Sequence, residues 1–146
     1  MTPNPVCCGP LDTVVRAAAI MDGLHCGCVP VVDPCTRRIL GMLTDRDLAL
    51  RVVAQGLAPA HVRVETVMSR GIICGRPDDD IEEIGERMRT HRVRRIPIVD
   101  ADGRVVGIIA QADLAVRAMR ERYAADAEEV ARTLETISLP TLPERL

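Results

Sequence analysis

One eight-residue stretch constrains the fold more than anything else in the chain, because most of it occurs twice. Gly41-Met42-Leu43-Thr44-Asp45-Arg46-Asp47-Leu48 returns as Gly107-Ile108-Ile109-Ala110-Gln111-Ala112-Asp113-Leu114. Upstream, Val29-Pro30-Val31-Val32-Asp33 returns as Ile96-Pro97-Ile98-Val99-Asp100. Met1 and Met68, Cys7 and Cys74, Pro30 and Pro97, and Asp33 and Asp100 all stand 67 residues apart. After one extra residue in the first copy's turn, Gly41 and Gly107, Asp47 and Asp113, and Arg51 and Arg117 stand 66 apart. A register held over that length is a tandem duplication, and a repeat outranks local signals in deciding a fold.

Within each copy the pattern predicts β-α-β-β-α. In copy one, Val6-Cys7-Cys8 reads as a short strand closed by Gly9-Pro10. Thr13 is placed to cap a helix whose apolar positions Val14, Ala17, Ala18 and Met21 follow helical spacing, with Gly23 ending it. Val29 to Val32 is a continuous apolar strand, so both its faces should be buried. A turn leads to a second strand, Ile39 to Leu43, and a helix from about Asp45 to Gln55, stopped by Gly56. Residues 57–63, carrying Pro59, read as a linker between copy one (1–56) and copy two (64–122).

In copy two, Asp80 with Glu83 three residues on predicts a capping box for a helix repeating the apolar spacing at Ile81, Ile84, Gly85 and Met88. Asp102-Gly103 predicts a hairpin turn, and the last helix of the copy falls near 112–122. Beyond it, Ala127, Val130, Ala131, Leu134 and Ile137 line one face of a further helix. That face can pack on its own domain or at a subunit interface. Residues 138–146, with Pro140 and Pro143, read as extended. The fold class is therefore α+β.

Composition narrows the chemistry. The 146 residues carry one Tyr and no Phe or Trp, so the core must be aliphatic. A net charge of −2 argues against nucleic acid as a partner. All 19 basic residues are Arg, which excludes Schiff-base and P-loop lysines. The only two serines, Ser69 and Ser138, sit outside any nucleophile-elbow pattern, so a non-enzyme is expected. No signal peptide or membrane span is legible, and a cytoplasmic home with reduced thiols is the expectation.

Two copies with this Pro-centred strand and this Gly-h-h-Thr-x-x-Asp turn (h, apolar) resemble the cystathionine-β-synthase (CBS) domain pair, or Bateman module. The resemblance spans about residues 1–122. It implies two packed repeats with a cleft for an adenine nucleotide, commonly AMP, ADP, ATP or S-adenosylmethionine, and a role in regulating another protein. Copy one lacks the counterpart of Val64-Glu65-Thr66-Val67, so its lead-in is expected to be completed by another segment or chain. Apolar helix faces at the edge of such a pair predict a homodimer, acting on an unknown regulated protein.

The residues give their own reading of the cleft. Asp47 lies in the first turn of a helix, where a carboxylate is favoured. It reads either as a ribose ligand or as a plain cap, with the helix N–H groups left for an anion. Thr44 can donate to a phosphate or sugar oxygen. The resemblance places the phosphate grip at Arg92, Arg94 and Arg95, whose guanidinium forks suit phosphate, and adenine near Val6 and Cys7. The second cleft keeps Asp113, but has Ala110 for the threonine and Gly27 and Cys28 for the arginines. It should bind less well. A competing reading comes from His25-Cys26-Gly27-Cys28 and Cys35, whose donor types suit zinc or redox chemistry at a spacing that matches no standard zinc pattern. No metal is the expectation, and His61 and His91 read as surface residues.

Overall fold

The computed structural model describes residues 1–122, so the expected helix and extended tail within 123–146 lie outside the described residues. The elements in chain order are β1 (Thr2–Pro3), α1 (Val14–Gly23), β2 (Cys28–Val32), β3 (Ile39–Thr44), α2 (Asp45–Leu48), α3 (Val64–Val67), α4 (Ile81–His91), β4 (Arg95–Val99), β5 (Val105–Ala110) and α5 (Gln111–Arg122). The α+β class holds, and each copy follows helix, strand, strand, helix, opened by β1 in copy one and by isolated bridges at Ser69 and Gly75 in copy two. Two hairpins form the sheets: β2 pairs antiparallel with β3, and β4 with β5.

The lead-in segments are exchanged between copies. Thr2 and Pro3 pair with Ile108 and Gly107 of copy two, while Ser69 bridges Met42 of copy one through two hydrogen bonds of 3.0 and 2.9 Å. The repeats are thus stitched together by backbone. An antiparallel bridge between Arg38 and Arg104, which occupy equivalent positions, marks the pseudo-two-fold axis.

This exchange explains the motif glycines. A methyl group on Gly41 would stand 2.6 Å from Met68 Sδ and 3.0 Å from the Ser69 carbonyl oxygen. One on Gly107 would stand 2.5 Å from Met1 Sδ. Each glycine makes room for the methionine that opens the other copy.

Several expected elements differ. Val6-Cys7-Cys8 is not a strand; only Cys8 makes a bridge, parallel to Val31, because the chain from Asn4 onward leaves β5 and crosses to the other hairpin. The helix expected over 45–55 is a short α-turn continued as a π-helical turn over Ala49–Val53. The capping box falls at Thr44 and Asp47 rather than at Asp80, whose carboxylate caps the Glu82 N–H at 2.9 Å while Glu83 turns to Arg87. The Asp102-Gly103 turn forms, with Gly103 at φ +80; copy one, one residue longer, uses Arg37 at φ +63. Gly56, at φ +66, follows helix two where a chain reversal needs a left-handed residue.

Three apolar clusters hold the fold together. Copy one's core includes Leu43, Val29, Val31, Val14 and Val52, and is completed by Val64, Val67 and Met68 from the connector. Copy two's core is Ile84, Met88, Ile96, Ile98 and Ile109. Val32, Val99 and Val105 meet across the axis, with Cys7 and Cys74 packed beside them. Each fully buried aliphatic side chain contributes ~1.5–3 kcal/mol. Among the described residues, no helix is long and apolar enough to cross a membrane.

Candidate functional site

The end of β3, the start of β4 and the exchanged strand after Met68 enclose a cleft of about 510 Å³. Its size is that of a small-molecule pocket. Thr44, Arg94 and Arg95 line it together, joined by Arg92, Arg46 and residues 69–73, Arg70 among them. Five arginines face one carboxylate, Asp45. The hairpin fold brings this about: β3 ends at Thr44 beside Cys28 of β2, and Arg95 begins β4 across the pseudo-axis.

Arg95 reaches the site through a gap left by Gly27. A methyl group on Gly27 would lie 2.8 Å from Asp45 Oδ2 and 3.2 Å from Arg95 Nη2. So Gly27 is more than a missing arginine for the second cleft; its bareness admits the arginine of the first.

Asp47 stands behind Thr44 rather than in the cleft lining. Its Oδ2 accepts from the Thr44 N–H at 3.0 Å and from the Thr44 hydroxyl at 2.7 Å, and Thr44 Oγ1 accepts from the Asp47 N–H at 3.2 Å. Arg51 Nε approaches Oδ1 at 3.5 Å. Asp47 therefore caps its helix and fixes the Thr44 rotamer. The N–H groups expected to be open to an anion are partly used, since Arg46 N–H donates to Asp45 Oδ1 at 2.7 Å.

Val6 and Cys7 do not line this cleft. Strand exchange puts residues 69–73 beside Thr44, and places Cys7 at the seam between repeats, where its thiol donates to the Pro5 carbonyl. The lining residues Ser69 to Ile73 and Arg70 were missed by sequence reasoning. The signal was present in the register: Ser69 matches Thr2, and whichever copy a lead-in pairs with decides which cleft it walls.

In the second cleft, Asp113 Oδ2 accepts from the Ala110 N–H at 2.8 Å, and its Oδ1 lies 3.7 Å from the Met1 nitrogen. Ala110 offers no hydroxyl. Arg94 and Arg95 have no counterparts there, since Gly27 and Cys28 hold those positions.

The thiols are spread out. Cys26 Sγ donates to the Cys28 carbonyl at 3.3 Å, and Cys35 is exposed on the turn. Burial pushes the Cys28 thiol up to about 11, opposed by Arg95, and the Cys8 thiol up to about 12. Thiols held protonated are poor nucleophiles. Among the described residues, no three His, Cys, Asp or Glu side chains converge on a point that could hold a metal ion.

Known proteins share this plan. CBS domain-containing protein YhcV of Bacillus subtilis is 39% identical over 127 residues, covering 87% of this chain and 88% of that one. The crystal structure of Hypoxic Response Protein I, solved with two coordinated zinc ions, is similar at a TM-score of 0.71 and 32% identity, covering 79% of this chain and 92% of its own. The CBS domain pair of protein MJ0100, in complex with 5-methylthioadenosine and S-adenosyl-L-methionine, matches at a TM-score of 0.69 and 25% identity, covering 79% and 91%. The family model for the CBS domain matches residues 1–54 and 64–120, which cover both copies of the repeat, and the chain belongs to the CBS-domain family as a tandem pair.

Proposed function

We propose that this chain is a regulatory CBS pair that binds an adenine nucleotide in the cleft at Thr44 and relays occupancy through repeat packing or dimer geometry to a regulated protein. The observation that carries the reading is the charge of that cleft, five arginines against Asp45. The MJ0100 pair supports an adenosine-bearing ligand. The arginines favour a phosphorylated one, AMP, ADP or ATP, over S-adenosylmethionine with its cationic sulfonium. Arg94 and Arg95 grip phosphate, and Thr44, whose hydroxyl hydrogen goes to Asp47, accepts from a sugar hydroxyl. The adenine lies along 69–73 rather than near Val6 and Cys7. Asp113 serves a weaker second cleft.

Val53 and Met119 occupy matching positions on the second helices and are 71% and 38% exposed, the apolar edge a homodimer would cover. A zinc-bound reading rests on the Hypoxic Response Protein I relative; in this chain no three His, Cys, Asp or Glu side chains come together among the described residues.

The test is calorimetric titration of AMP, ATP and S-adenosylmethionine into wild type, Arg95→Ala and Asp113→Ala. One tight phosphorylated ligand per chain is expected. A charge-assisted hydrogen bond contributes roughly 1.5–3 kcal/mol, so Arg95→Ala should weaken it about tenfold or more, with Asp113→Ala nearly silent. Two equal sites, or a tight site indifferent to Arg95→Ala, refutes the reading.

A further inference from the structure

Two walls of the cleft come from distant stretches of the chain, and a side chain outside the lining joins them. Arg51 lies in the π-helical turn Ala49–Val53 and is not among the residues that line the cleft. Its Nε approaches Asp47 Oδ1 at 3.5 Å. Its Nη1 donates to Val67 O at 2.6 Å and to Met68 O at 3.3 Å. Those carbonyls stand at the end of α3, where a helix leaves acceptors without partners of its own. Ser69 follows at once and makes its two-bond bridge to Met42 at 2.9 and 3.0 Å, and 69–73 then form the far wall. Met42 precedes Thr44 in β3, so the contacts close into a ring: Thr44 to Asp47, Asp47 to Arg51, Arg51 to Val67 and Met68, Ser69 to Met42.

We infer that Arg51 is the positioning residue of this cleft, holding the exchanged wall 69–73 against the Thr44 turn without touching what binds between them. The contact with Asp47 alone would be weak, because the Arg51 side chain is 49% exposed. The bonds to Val67 and Met68 are charge-assisted and span 16 and 17 residues of chain, so they tie separate elements rather than one helix. The planar guanidinium reaches partners on two elements at once, through Nε on one side and Nη1 on the other. An ammonium is a single point and cannot hold both. The effect of Arg51 on ligand affinity rests on the proposed nucleotide binding; the tie between the walls does not.

Amide hydrogen exchange read by NMR on the full chain, without nucleotide, tests the tie directly. In Arg51→Met, which keeps the apolar stem, the Ser69 and Met42 amides should exchange at least about threefold faster than in wild type. The Asp100 and Gly103 amides, hydrogen-bonded in the turn of the other hairpin, should be unchanged. Arg51→Lys should behave like Arg51→Met. A second arm titrates ATP calorimetrically into the same proteins. Both variants should bind about threefold to tenfold more weakly than wild type, although neither removes a group that lines the cleft. Unchanged exchange at Ser69 and Met42 in Arg51→Met overturns the inference, as does an equal rise at Asp100 and Gly103. Wild-type exchange and affinity in Arg51→Lys overturn it too, because positive charge alone would then be enough. A wild type that binds no nucleotide sinks the nucleotide reading alone, and the exchange arm still decides the role of Arg51.

Discussion

Gly41→Ala tests the strand exchange that joins the repeats. The new methyl group would meet Met68 Sδ at 2.6 Å, Met68 Cγ at 3.1 Å and Ser69 O at 3.0 Å. Met68 is 6% exposed and packed in copy one's core, so its thioether has no solvent to swing into. Ser69 O is backbone and accepts from the Met42 N–H. Overpacking of this kind costs about 1–3 kcal/mol, and strain on the two-bond bridge about 1 kcal/mol more. For a chain of this size ~1 kcal/mol moves Tm by about 3–4 °C, so thermal unfolding should show a drop of roughly 6–15 °C. Gly23→Ala is the control, because nothing lies within 4 Å of its added methyl group; it should be neutral or slightly stabilising. Met68→Ala alone opens a cavity and costs about 2–5 kcal/mol. In the double variant the cavity receives the methyl group, so the pair should lose at least about 1 kcal/mol less than the sum of the singles. Additivity within ~0.5 kcal/mol would refute the claim that the motif glycine exists to admit Met68.

Gly27→Ala should weaken phosphorylated-nucleotide binding by several-fold (about 1 kcal/mol) in a calorimetric titration, because its methyl group crowds Arg95 Nη2 and Asp45 Oδ2 without removing any charge. Alkylation of native protein near pH 8, followed by mass spectrometry, should label exposed Cys35 first and leave Cys8 and Cys28 last, since burial holds those two thiols protonated. The same raised thiols make stability fall as pH rises above the unfolded value near 9.0, because the unfolded chain then binds fewer protons; Cys8→Ala should flatten that alkaline limb in pH-dependent melts. At the acid end, Asp79 is held below its usual range, first by the Arg76 N–H and then by Arg87. Its contribution is present above pH ~4 and lost below, so Asp79→Asn should flatten the acid limb of the same melts.

What the amino-acid sequence determined by itself was the plan of each copy. Apolar periodicity, the Asp102-Gly103 turn and the 67- and 66-residue registers are local or near-local signals, and they led directly to paired β-α-β-β-α units, while the resemblance to the CBS pair put Thr44, Arg94 and Arg95 in one place. Tertiary structure decided how the copies share their edges. Whether Thr2 or Ser69 pairs with its own hairpin or its neighbour's is the same hydrogen-bond chemistry either way, so no residue type announces it. Close packing around Gly41 and Gly107 makes the choice, and with it sends Val6 and Cys7 to the seam and 69–73 to the cleft. Asp47 shows the same division. Its position three residues after Thr44 is compatible with a cap or a ligand, and only the folded turn, closing both hydrogen bonds to Thr44, puts its carboxylate behind the site instead of in its lining.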